Sequence, residues 1–258
     1  MRRLVLWLLA GIISVALTML VFLPASWMAV VLEKQTAGRL TLGDAQGTLW
    51  RGSAFICGAP SGKDPVTPLL PGRFSWHLSP LLVLGQVDLR LENAAALSQP
   101  LTVSGSWNQW QLAAGAMALP AERLAGLGAP LNTIAPSGQM HLAWGPLMLA
   151  RQGKTLDLNG SMTLDIRDVA SRLSPVKPLG AYRMTMDWHG QRAQLLLSTV
   201  KGPMLLAGTG ALAQGRFQFS GTARAEAGQE EQLANLLNLL GQRRKDGERD
   251  VIALEFTS

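Results

Sequence analysis

The side chains able to do chemistry are few and scattered. Three histidines, His77, His141 and His189, would serve as proton carriers or metal ligands if the fold brought them together. Their spacing fits no such motif: the chain has no HExxH, CxxC, GxSxG, Walker or GxGxxG pattern. Each stands on or beside the polar face of an alternating segment, where solvated or structural roles are expected. Cys57, the single cysteine, lies in Ala54-Phe55-Ile56-Cys57-Gly58-Ala59-Pro60 with no charged neighbour to lower its pKa, and reads as inert. It has no partner for an intrachain disulfide, so folding rests on core burial. Asp64, Asp88, Asp157, Asp165 and Asp187 are isolated in turns or on polar faces. Trp107 and Trp110, in Gly105-Ser106-Trp107-Asn108-Gln109-Trp110, could form a sugar platform, but hairpin or sheet-face packing accounts for them as well. No catalytic, cofactor-binding or metal-binding residue is assigned, and the chain is not expected to be an enzyme.

The elements around these residues read mainly as strands. Phe74, Trp76 and Leu78 alternate with polar residues, as do Val87, Leu89 and Leu91, and Met140, Leu142 and Trp144. The same period of two runs through Met162, Leu164 and Ile166, through Tyr182, Met184, Met186 and Trp188, and through Phe217 and Phe219. One apolar and one polar face is the mark of antiparallel sheet. Turns are expected at Leu158-Asn159-Gly160-Ser161, His189-Gly190-Gln191 and Lys201-Gly202-Pro203. The 27 Gly and 14 Pro are spread singly, as in a chain of many short strands. Net charge is +6 over 258 residues, with no basic tract before Arg243-Arg244-Lys245 and no aromatic-basic groove, which argues against nucleic acid.

At the N-terminus, Leu4 to Leu23 is a run of 20 uncharged residues. As a helix it would cover about 30 Å, the thickness of a bilayer core. Arg2 and Arg3 precede it and would hold the N-terminus in the cytoplasm by the positive-inside rule. A cleaved signal peptide is disfavoured: its apolar core would be shorter, and neither Ala25 nor Ala29 completes a small-x-small site. Pro24 should end or kink the helix, and Ser26 could cap the next. That short amphipathic helix, with Trp27, Val30 and Val31 at helical spacing, would lie at the membrane surface or pack on the domain.

Helices are expected at Pro120 to Leu127, at Arg167 to Leu173 and at Gln229 to Leu240. The last carries Leu233, Leu236, Leu237 and Leu240 on one stripe, Glu230 and Glu231 in its first turn and Gly241 at its end. A final strand spans Val251 to Phe256. Three stretches share a helix, a loop and an alternating strand, which suggests a repeat-built, antiparallel curved sheet with a few short helices on one face. The expected layout is residues 1–25 as cytoplasmic tip and anchor, 26–38 as membrane-proximal helix and 39–258 as a periplasmic β-rich domain.

Two stretches carry a family likeness. One is Gly43-Asp44-Ala45-Gln46-Gly47-Thr48-Leu49-Trp50-Arg51-Gly52-Ser53-Ala54 and the other is Leu70-Pro71-Gly72-Arg73-Phe74-Ser75-Trp76-His77-Leu78-Ser79-Pro80-Leu81. With the hydrophobic run and the segment from Leu23 to Leu40, the chain resembles the N component of bacterial type II secretion systems. The resemblance implies a single-pass inner-membrane protein with a periplasmic β-rich domain. It would be an accessory part of a machine that exports folded periplasmic proteins, and no catalyst. Gly47, Thr48, Leu49, Trp50, Gly52, Phe74, Trp76 and Leu78 are the motif residues to follow. Gly47 and Gly52 suit a tight turn, with Trp50 as an anchor in the core or in a partner's pocket. The expected partners are inner-membrane lipid and other secretion components. The rival reading is an AsmA-like carrier of lipid or another hydrophobic ligand: an uncovered apolar groove would favour it, and polar residues lining the sheet's inner surface would favour a scaffold.

Overall fold

The computed structural model describes residues 2–36, 38, 40–58, 67–122, 136–153, 155–213, 215–246 and 249–257; within these, the side chains at 2–5, 16–17, 245–246, 249–250 and 257 are not described. The chain opens with helix α1 (Arg2–Val21) and, after a short link, helix α2 (Ser26–Gln35). Ala25, not Ser26, occupies the N-cap of α2, in helical backbone and without a side-chain cap. Among the described residues no helix is long and apolar enough to cross a membrane. Within α1 the longest described stretch of side chains is 6–15, and its large members from Leu6 to Val15 are all exposed.

Among the described residues, seventeen strands make one antiparallel sheet. They are β1 (Leu40–Gly47), β2 (Arg51–Gly58), β3 (Thr67–Pro68), β4 (Phe74–Leu78), β5 (Gln86–Glu92), β6 (Leu101–Ser106), β7 (Gln109–Leu112), β8 (Gly115–Pro120) and β9 (Ser137–Trp144). Then follow β10 (Leu147–Gln152), β11 (Thr155–Ala170), β12 (Gly180–Gly190), β13 (Arg192–Lys201), β14 (Met204–Ala213), β15 (Arg216–Ala225), β16 (Gln242–Asp246) and β17 (Arg249–Thr257). The sheet is open, and pairing follows chain order almost throughout. β2 pairs with β1 on one side and with β3 and β4 on the other. β9 and β10 are two pieces of one strand, broken at Gly145-Pro146, and both lie along β11. β8 and β7 flank them in the same way. From β11 to β15 each strand pairs with the next. Only β17 departs from the order, sitting between β15 and β16.

The alternation expected at β4, β5, β9, β12 and β15 is observed, and β4 shows strict buried–exposed alternation. Two expected features are corrected. Leu158 to Ser161 is no turn but the middle of β11; Gly160, at φ +136°, allows the backbone of Pro146 and the Leu147 side chain to come close where the neighbouring strand breaks. Arg167 to Leu173 is no helix: β11 runs on to Ala170 through a bulge at Asp168, whose φ is +51°. The second unit of the expected repeat therefore has no helix. Of Pro120 to Leu127, residues beyond 122 lie outside those described, and Pro120 itself ends β8.

Helix α3 (Glu230–Leu240) forms as expected, with Leu233, Leu236 and Leu237 buried. They pack on Tyr182, Leu197, Ala223, Ile252 and Leu254 of the sheet. Burying each leucine is worth roughly 1.5–3 kcal/mol, which fixes α3 as the cover of this face. Gly241 has extended backbone and leads into the β16 hairpin, which the sequence did not announce. A second core gathers Phe74, Leu97, Trp144 and Leu147, and a third gathers Ala25, Ala54 and Trp76.

Candidate functional site

The sequence motif builds the junction between the N-terminal helices and the sheet. The β1–β2 turn is tight enough to demand glycine at both ends. Gly47 has φ +86°, and a Cβ there would meet the Arg51 carbonyl oxygen at 2.5 Å. A Cβ on Gly52 would lie 2.5 Å from the Trp76 ring and 2.7 Å from the Gln46 carbonyl oxygen. Thr48 closes the turn: its N–H donates to the Arg51 carbonyl at 2.8 Å, and its hydroxyl accepts from the Arg51 N–H at 3.1 Å.

The link between α1 and α2 adds to this turn as a short strand. The N–H of Leu49 donates to the Leu23 carbonyl at 2.8 Å, and the N–H of Ala25 to the Gly47 carbonyl at 3.1 Å. Pro24 and Thr48 form the antiparallel bridge between them. Trp50 then reaches α1 itself, its indole N–H donating to the Leu20 carbonyl at 2.8 Å. The last carbonyls of a helix have no partner within it, so Trp50 supplies one from the sheet. Trp76 completes the clamp: its indole N–H donates to the Leu49 carbonyl at 3.0 Å, and its ring packs on fully buried Ala25 and Ala54. Leu78 donates its N–H to the Trp50 carbonyl at 2.8 Å.

Of the motif residues, Gly47, Thr48, Leu49, Trp50, Gly52, Trp76 and Leu78 meet at this junction. Phe74, one turn of the pleat away, belongs to the second core with Leu97 and Trp144. Trp50 is half-buried against α1, neither in the sheet core nor outward-facing. Trp27 on α2 is 60 % exposed, while Met28 on the same helix packs toward Trp76. Arg2 and Arg3 fall in the first turn of α1.

One polar cluster beside the junction was not read from the sequence. Asp44 sits at a bulge in β1 with φ +47°. Hydrogen bonds from Gln46 and Arg73 hold its carboxyl below the usual range. Arg73 pairs with that carboxylate, donates to the Asp44 carbonyl at 2.9 Å and lies over the Phe55 ring at 4.6 Å. Both residues stand inside the two motif stretches, 29 positions apart, a separation no local pattern reveals.

The residues with chemical potential stay apart. His77, His141 and His189 lie on β4, β9 and β12. His141 pairs in register with Asp165, and His189 with Asn159, on opposite halves of β11. No metal-holding group of His, Cys, Asp or Glu occurs among the described residues. Cys57 is buried, which pushes its thiol pKa up. Trp107 tops the β6–β7 turn and donates to the Leu82 carbonyl, while Trp110 pairs with Gly105 inside the hairpin. A trough of about 840 Å³ lies over β12 to β15, lined by polar Thr185, Gln194 and Gln218 and by apolar Leu195, Leu196 and Phe219 among others.

Compared with known proteins, residues 38–251 match the family model described as type II secretion system (T2SS), protein N. No curated protein matches the chain, and no solved structure does.

Proposed function

The chain belongs to the type II secretion system protein N family, and from that premise we propose that it is a non-catalytic accessory of the secretion machine, anchored in the inner membrane by α1. The observation that carries the reading is the clamp of Trp50 and Trp76 on the α1–α2 link. A fold that spends its motif on fixing a helix to a sheet is built to hold a domain in place. The anchor is supported by the apolar side chains that α1 exposes at Leu6, Trp7, Leu8, Leu9, Ile12, Ile13, Val15 and Met19. Each would gain roughly 1.5–3 kcal/mol by leaving water. Arg2 and Arg3 set the N-terminus in the cytoplasm and the sheet in the periplasm.

Held at the membrane, the domain meets other secretion components at high effective concentration, so individually weak contacts suffice. The sheet is open, and its edge strand β16 has Arg243 and Arg244 exposed. Strand addition at an edge needs backbone more than particular side chains. A lipid carrier would need an uncovered apolar groove. The trough over β12 to β15 interleaves polar side chains with Leu195, Leu196, Ala211 and Phe219; it is not a continuous apolar groove, and the scaffold reading rests on the clamp.

Deleting the gene should leave exoproteins folded in the periplasm but reduce their appearance outside the cell. Replacing His77, His141 and His189 together by Gln should leave secretion unharmed. Loss of secretion at normal protein level in that triple variant would revive a catalytic or metal-dependent role and sink the scaffold reading.

A further inference from the structure

A second apolar surface stands at the end of the sheet where α1 is clamped. Leu78, hydrogen-bonded to Trp50, is the last residue of β4. Directly beyond it the chain enters a 3-10 turn, Pro80–Leu84. Ser79 caps the turn, its Oγ accepting from the Leu81 N–H at 3.3 Å, and Gly85 closes it at φ +92°. The turn reads Pro-Leu-Leu-Val-Leu, without a polar side chain. Leu84 is 82 % exposed, and Leu81 and Val83 are about half exposed. Trp107, from the adjacent β6–β7 turn, is also exposed, and its indole N–H donates to the Leu82 carbonyl at 2.6 Å. The register of Gln86 with Ser106 sets the two turns side by side.

Four large apolar side chains are thus presented outward on a rigid, capped tip. We propose that Pro80–Leu84 and Trp107 form a second membrane contact, seated in the interfacial layer of the bilayer that α1 enters; this rests on the reading of α1 as an anchor. Two hydrogen bonds join the tip to α1: Leu78 to Trp50, and Trp50 to Leu20 in the last turn of the helix. The tip therefore stands where α1 leaves the bilayer. Trp107 enters that layer with its N–H already satisfied, so no orphaned donor opposes insertion. Tryptophan is enriched at this depth of the membrane. The clamp holds the sheet to α1 at one place, whereas a second membrane contact beside it also sets which face and which edge the sheet offers to neighbours.

The test uses the full chain in nanodiscs of phosphatidylethanolamine and phosphatidylglycerol. Leu84→Cys, Ile12→Cys and Ala211→Cys each carry an environment-sensitive fluorophore, with buried Cys57 left in place. Nitroxides on the lipid acyl chain, one near the headgroup and one near the chain end, serve together as quenchers, so that both depths are reached. Probes at 84 and 12 should shift to the blue and be quenched, and the probe at 211 should do neither. Val83→Cys should repeat the behaviour of position 84. A water-like, unquenched probe at 84 beside a quenched one at 12 overturns the tip contact and spares the anchor. A blue-shifted but unquenched probe at 84 means that protein covers the tip, and also overturns it. Quenching at 84 and 211 alike indicates adsorption of the whole domain and overturns a contact made by the tip. If 12 and 84 both escape quenching, the anchor reading fails and takes this one with it.

Discussion

The indole N–H of Trp50 donates to the carbonyl of Leu20, 30 residues earlier, at 2.8 Å. A side chain of the first hairpin thereby finishes the last turn of a helix that, among the described residues, contributes to none of the three cores. Trp50→Phe keeps the ring but loses this bond, at a cost of about 1 kcal/mol. Limited proteolysis of the variant in detergent should show faster cutting between 21 and 26, with the sheet itself still resistant.

Gly52 lies under the Trp76 ring, and a methyl group added there would also come within 2.9 Å of the Gln46 and Thr48 carbonyl oxygens. Those oxygens are backbone and cannot step aside. Gly52→Ala should cost about 1–3 kcal/mol through this overpacking, seen as a lower urea midpoint. Gly153→Ala has open space around its side chain, but its φ of +63° still makes it a test of conformational strain alone.

Leu236 is 2 % exposed between α3 and the sheet. Leu236→Ala should lose about 2–5 kcal/mol, and Leu236→Asp more, since it adds a buried unpaired charge. Thermal melts followed by circular dichroism provide the measurement. An unchanged melting temperature for the Asp variant would show that the stripe is not buried in solution.

Asp165 on β11 receives a hydrogen bond from Arg183 on β12 at 2.7 Å. Chiefly this bond holds its carboxyl below the ordinary value of 3.8. As pH falls, the unfolded chain takes up the proton first. The pair's contribution is therefore complete above about pH 4 and disappears as pH drops through the lower folded value. Arg183 is half exposed, so solvent screening keeps the contribution small. Urea midpoints measured down the acid limb should fall less steeply for Asp165→Asn than for the wild type.

The strands with intact alternation were legible because one face meets a core and the other meets water, as in β4 and β12. β14 was not, because its apolar face carries Gly208 and Gly210. A Cβ on Gly208 would meet the Phe219 ring at 2.5 Å; the phenylalanine of the next strand fills the space that alternation would have marked. At Arg167 to Leu173, where a helix is expected, a bulge at Asp168 redirects a strand, and no local residue pattern marks it. At the site, the motif positions were visible in the sequence but their purpose was not. Most of the clamp's acceptors are backbone carbonyls, at Leu20, Leu23, Gly47 and Leu49, and every residue type carries one.

Pairing in near-perfect chain order has a kinetic consequence. A strand that joins its predecessor needs only a short loop to close, so little entropy is lost before each new pairing begins to stabilise the sheet. A chain emerging N-terminus first can lay down β1 through β15 one after another, without waiting for a distant segment. The exception is the C-terminal end, where β17 must slip between β15 and β16. Until it does, β15 has a bare edge and the leucines of α3 lack Ile252 and Leu254. β17 therefore acts as the latch of this end of the sheet, and a chain lacking it would leave the edge of β15 open to any other strand.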